Sequence, residues 1–101
     1  MSNSPKTSEQ EYVEYLAQHP EDGPVTIVRL TNTRSVPLTF LMEPVADEGA
    51  PMQPGANYDV ITQAPNLDCS LVIDIGDDVV TVWFTSSYGK VFSDGVSVTG
   101  R

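Results

Sequence analysis

The chain has one cysteine, one histidine and five basic side chains in 101 residues, and it has no apolar run approaching the length of a bilayer span. Each scarcity removes a class of function. One cysteine cannot close an internal disulfide, and one cysteine with one histidine cannot supply the usual soft ligand set of a structural zinc site. Fourteen carboxylates against five Lys and Arg give a formal net charge of −9. That charge opposes the counterion release that drives binding to phosphate backbones, and it repels an anionic lipid surface. The composition therefore predicts no nucleic-acid partner and no membrane partner. The first residues, Met1 to Lys6, carry no apolar core of the kind a secretory signal has, which with the lone thiol predicts a cytoplasmic location. No EF-hand spacing, nucleophile-elbow motif, repeat or low-complexity tract occurs.

What is present organises into a tail with a short helix over residues 1–24 and a β-rich domain over residues 25–101. A chain of this size buries roughly two-thirds of its unfolded surface and can hold one core without staples. Thr7 with Gln10, or Ser8 with Glu11, makes a capping box ahead of an acidic first turn. Tyr12, Val13 and Leu16 then mark an apolar stripe at helical spacing, and Pro20 ends the element. A helix this short is unstable alone, so it docks on the sheet or frays.

From Val25 onward Val, Ile, Thr and aromatic residues dominate, and turn clusters recur at short intervals. Val25 to Thr31 reads as the first strand, with Val28 and Leu30 inward and Arg29 on the wet side. Leu38, Phe40 and Met42 alternate along a second strand. Pro44 to Gly55, with three prolines and two glycines, reads as the longest irregular loop. It leads into a strand bearing Tyr58 and Val60. The run from Asp68 to Thr85 predicts a hairpin turning on Gly76-Asp77, which pairs Ile73 with Val80, Leu71 with Val82 and Cys69 with Phe84. A second hairpin turns on Asp94-Gly95, a type I′ signal, and pairs Ser93 with Val96 and Phe92 with Ser97.

About seven short strands without βαβ alternation predict an all-β fold, an antiparallel β-sandwich with one short N-terminal helix. Val28-Arg29-Leu30-Thr31-Asn32-Thr33, then Pro37-Leu38-Thr39-Phe40, then Pro54-Gly55 leading into a strand, resembles the immunoglobulin-like sandwich pattern of many small bacterial domains. The chain is also similar to short uncharacterised bacterial proteins in which a Glu-Pro, here Glu43-Pro44, precedes a Pro-Gly turn. The resemblance spans Val25 to Val98 and implies an immunoglobulin-like fold. It carries no functional motif, and the cysteine-tryptophan-cysteine hallmark of antibody domains is absent.

Candidate chemistry is sparse. His19 stands at the end of the proposed helix, where it reads as a surface histidine near the negative dipole end, with no motif supplying a nucleophile beside it. Asp74, Asp77 and Asp78 crowd one hairpin end, with further acids at Asp47-Glu48 and Glu21-Asp22. Calcium takes oxygen ligands from such loops, so a weak calcium site is the alternative reading; the plainer one is a set of solvated acidic turns. Paired carboxylates could also serve a glycosidase, but a domain this small leaves little room for a sugar cleft. Trp83 faces away from the Val80 and Val82 side, where it is either covered by the helix or left open as a partner site. The expectation is a non-enzymatic binding or assembly module without a cofactor, meeting a protein partner or a second copy through Trp83, Met52 and Tyr58. Cys69 reads as a small buried hydrophobe on the hairpin. A thiol reagent should accordingly leave it unlabelled until denaturant is added, and rapid labelling of the native protein would show the assignment to be wrong.

Overall fold

A computed structural model describes residues 5–43, 47–48, 51–65, 71–84 and 88–98. Helix α1 runs Ser8–Ala17. The capping box uses the first of the two predicted pairs: the Gln10 N–H donates to Thr7 Oγ1 at 3.1 Å, and the Thr7 N–H donates to Gln10 Oε1 at 2.9 Å. A single 3₁₀ turn, Pro20–Asp22, follows. Among the described residues no helix is long and apolar enough to cross a membrane.

Among the described residues eight strands follow: β1 Val25–Thr31, β2 Thr39–Glu43, β3 Asp47–Glu48, β4 Asn57–Gln63, β5 Leu71–Ile75, β6 Val79–Phe84, β7 Tyr88–Ser93 and β8 Val96–Ser97. They form two four-stranded sheets, β1-β4-β7-β8 and β3-β2-β6-β5. All neighbours are antiparallel except β2 and β6, which run parallel. The fold is thus all-β, with two sheets and one short N-terminal helix. Between the sheets lies a core of Phe40, Met42, Met52, Tyr58, Val60, Val80, Val82 and Val91. Phe40 and Tyr58 meet edge to face across it, with ring centroids 4.9 Å apart.

Helix α1 covers the other side of the first sheet. Leu16, its one buried residue, packs with Ile61 of β4 and Phe92 of β7, and Tyr12, Val13 and Val25 close around them. The helix end is tied down by Gln63, whose Nε2 lies 2.9 Å from the carbonyl oxygens of Leu16, His19 and Gly23. Two amide hydrogens shared among three acceptors tie the end of α1 and the turn after it to β4.

The Asp94-Gly95 hairpin has the expected register, Phe92 with Ser97 and Ser93 with Val96, and both turn residues have positive φ, 51° and 83°. The central hairpin does not. Leu71 pairs with Phe84, Ile73 with Val82 and Ile75 with Val80, a slip of two residues from expectation. The Gly76 N–H donates to the Val79 carbonyl at 2.8 Å, so the turn is Asp77-Asp78, and Gly76 is not among the positive-φ glycines that a type II′ turn would require. Arg34 supplies the reason: its Nη1 donates to the Asp77 carbonyl and, at 2.9 Å, to Asp78 Oδ1, while the Thr39 N–H donates to the Asp78 carbonyl at 2.9 Å. The slip is even, so Ile73, Val80 and Val82 keep the core side. The expected Cys69–Phe84 pair involves a cysteine outside the described residues.

The described residues of the expected Pro44 to Gly55 loop, 47–48 and 51–55, include parts that join the fold. Its β3 pairs with β2, and Met52 and Leu38 exchange backbone hydrogen bonds of 2.7 and 2.9 Å. Buried Asn32 holds this arrangement, its Nδ2 donating at 2.9 Å to both Val36 O and Met52 O. Leu16→Ala should lower the equilibrium unfolding free energy by about 3 kcal/mol, the usual scale for emptying a buried leucine site. Urea titration followed by circular dichroism measures it, and a loss under about 1 kcal/mol would mean the helix contributes little to the core.

Candidate functional site

Strand geometry decides which side chains the second sheet displays. Phe40, Met42, Val80 and Val82 point into the core, so their neighbours point out. The register arranges them in two rows: Glu43, Trp83 and Val72 across the sheet, then Leu41, Thr81 and Asp74. Trp83 is 42% exposed and its cross-strand neighbour Val72 51%. Of the two arrangements open to the tryptophan, the structure takes the uncovered one, because α1 lies on the opposite sheet against Ile61 and Phe92. Ile75, at the end of β5, is 75% exposed.

Met52 and Tyr58 do not join this face. Met52 is 1% exposed and Tyr58 5%, and both belong to the core between the sheets. They pack where a partner has no access, and burial pushes the Tyr58 hydroxyl above its ordinary pKa. Alternation along β4 from a wet Pro-Gly turn gave no sign that the chain before it folds back to roof the same core.

The acidic hairpin end does not assemble as a calcium cage. Asp74 stands on the outer face across from Thr81, while Asp77 and Asp78 form the turn, and the Asp78 carboxylate accepts from Arg34. Among the described residues, the group whose ligand atoms do converge, all within 4.8 Å, is His19, Glu21 and Asp22. There His19 Nδ1 lies 3.2 Å from Glu21 Oε2, and His19 stacks edge-on against Tyr15 at 5.1 Å. The Glu21 carboxyl is held below its usual pKa, first by a backbone hydrogen bond and then by His19.

A polar cavity of about 370 Å³ separates the start of α1 from β1, β4 and the β7–β8 turn. Arg29 and Asp59 line it as a bidentate pair, with Nε to Oδ1 at 2.8 Å and Nη2 to Oδ2 at 3.2 Å. Glu9 lines it too, and its N–H donates to the Gly95 carbonyl at 3.1 Å. The two carboxyls are driven apart. The guanidinium holds Asp59 below the ordinary carboxylate range, while burial, and then Asp59 itself, pushes Glu9 up. Arg29 and Asp59 are paired through β1 and β4, and Glu9 comes from the helix, so the cluster exists only once three elements meet.

No family model, curated protein or solved structure matches the chain.

The Glu9–Asp59 pair gives stability a pH dependence with a definite sign. A carboxyl whose pKa is raised on folding stabilises the native state at acid pH, and that contribution disappears as pH rises through the folded pKa. For Asp59, lowered on folding, the contribution is present at neutral pH and is lost on acidification through the folded pKa. Glu9→Gln keeps a donor facing Asp59 at every pH. Measured by urea titration from about pH 4 to about pH 7, the variant should gain on the wild type as pH rises. A constant difference between the two would remove Glu9 from the linkage.

Proposed function

We propose that this protein is a non-enzymatic binding module whose docking face is the outer side of the β3-β2-β6-β5 sheet, and that its partner is a protein presenting a basic surface. The observation carrying this reading is the exposed Trp83–Val72 pair, set between Glu43 and Asp74 on a sheet face that the helix leaves open. Tryptophan beside an aliphatic side chain is the composition of binding hot spots. The charge supports a basic partner. Lys6 engages Glu14, Arg29 engages Asp59, Arg34 engages Asp78 and Lys90 lies over the Tyr12 ring, so each described cation is committed away from this face.

A formal charge of −9 steers such a partner inward, an attraction that weakens as salt shortens the screening length toward about 8 Å and below. We read the two-sheet architecture as immunoglobulin-like, and a lone thiol at Cys69 suits a reducing cytoplasm. The rival occupant of the face is a second copy of the chain.

Trp83 is the chain's one tryptophan, so its emission reports on this face alone. Titration with a peptide alternating Lys with Val or Thr should shift that emission to the blue, and high salt should weaken the complex. With the label on the peptide, Trp83→Ala should cost at least about tenfold in affinity. Equal affinity for variant and wild type would place the site elsewhere, and a dimer in sedimentation at tens of micromolar would give the face to a second copy.

A further inference from the structure

The core is well closed at its centre and open at one edge. On β6, Val80 and Val82 are buried. On β5, which stands last in its sheet, the residues of the same core-facing row are less covered: Leu71 and Ile73 are only partly buried, and Ile75 is exposed. The backbone of β5 pairs with β6 on one side, and among the described residues no strand pairs with it on the other. Ladder groups with no described strand opposite them, beside an unfinished apolar row, are what a further strand would complete.

Resting on the docking reading above, we propose that the partner joins by strand addition: an extended amphipathic segment, basic on one face and apolar on the other, pairs with the outer edge of β5. At the inter-strand spacing of about 4.8 Å, its apolar side chains would cover Leu71, Ile73 and Ile75 on the core side. Its basic side chains would stand on the outer side beside Val72 and Asp74, laying their aliphatic stems on the valine and their charge near the carboxylate.

The other edges fit this occupant less well. Strand β8 has two residues, too short to template a ladder, and β3 is described over two residues alone. Strand β1 is long enough, but α1 packs beside it at Val25. A second copy is disfavoured at β5, since self-pairing sets two Asp74 carboxylates along one short ladder in chains that each carry −9.

The test uses the full chain and the labelled Lys/Val/Thr peptide in three forms: unmodified, and N-methylated at alternate residues along either one backbone edge or the other. Strand addition predicts that one methylated form loses at least about tenfold in affinity while the other binds like the parent, because only one edge of the peptide faces β5. It also predicts that binding slows amide hydrogen exchange in β5 and not in β1. If both methylated forms bind like the parent while Trp83→Ala still weakens binding, strand addition is overturned and the docking face stands. Protection of β1 in place of β5 overturns it as well. If the unmodified peptide does not bind, or if Trp83→Ala leaves its affinity unchanged, both readings fail together.

Discussion

Neighbouring residues of a strand cannot face the same way, and on β6 this constraint settles both what holds the protein together and what it displays. Val80 and Val82 point inward against Phe40, Met42 and Val60. Each valine taken out of water contributes roughly 1.5–3 kcal/mol. Reversing β6 would place Trp83 in a layer shaped for valines and would overpack it. The exposure of Trp83 is therefore enforced by the packing of its neighbours, and any use of that face is built on a side chain the core has no room for.

Local features were legible in the sequence, and features that depend on distant contacts were not. The Thr7–Gln10 capping box and the Asp94-Gly95 turn are written in three or four consecutive residues, and both stand in the structure as read. The Gly76 turn also had a local signal, but a shift of two residues conserves every face, so hydrophobic patterning could not correct it; Arg34, remote in sequence, decides the outcome. Met52 was read as a loop residue because nothing near it signals burial. Its place in the core depends on Asn32 and Leu38, which are distant from it in sequence. The same holds for the polar cavity. A glutamate in the first turn of a helix reads as a dipole complement, and only the tertiary fold sets it beside Asp59.

Charge is distributed unevenly in function as well as in number. The pairs Lys6–Glu14 and Arg34–Asp78 lie at the surface, where an ion pair contributes at most about 1 kcal/mol. Their effect on the field is larger than their effect on stability. By consuming the few cations locally, they leave the remaining carboxylates to set the long-range potential, so the protein approaches any partner as a nearly uniform anion. For the docking proposed above, attraction would thus have low positional specificity, and discrimination would fall to the short-range fit of the apolar groups.

The parallel pairing of β2 with β6 has a consequence for how the chain is made. Strand β2 pairs along its full length with β6, which starts at Val79, far along the chain. During synthesis Phe40 and Met42 cannot meet that partner until much of the chain has left the ribosome. The β5–β6 hairpin, by contrast, can form as soon as its own turn emerges. Long-range pairing of this kind slows the closing of a fold and leaves apolar strands open to wrong partners in the interval. Completion of the second sheet therefore waits on a long-range meeting of the β5–β6 hairpin with β2, a slower step than closing the hairpin on its own turn.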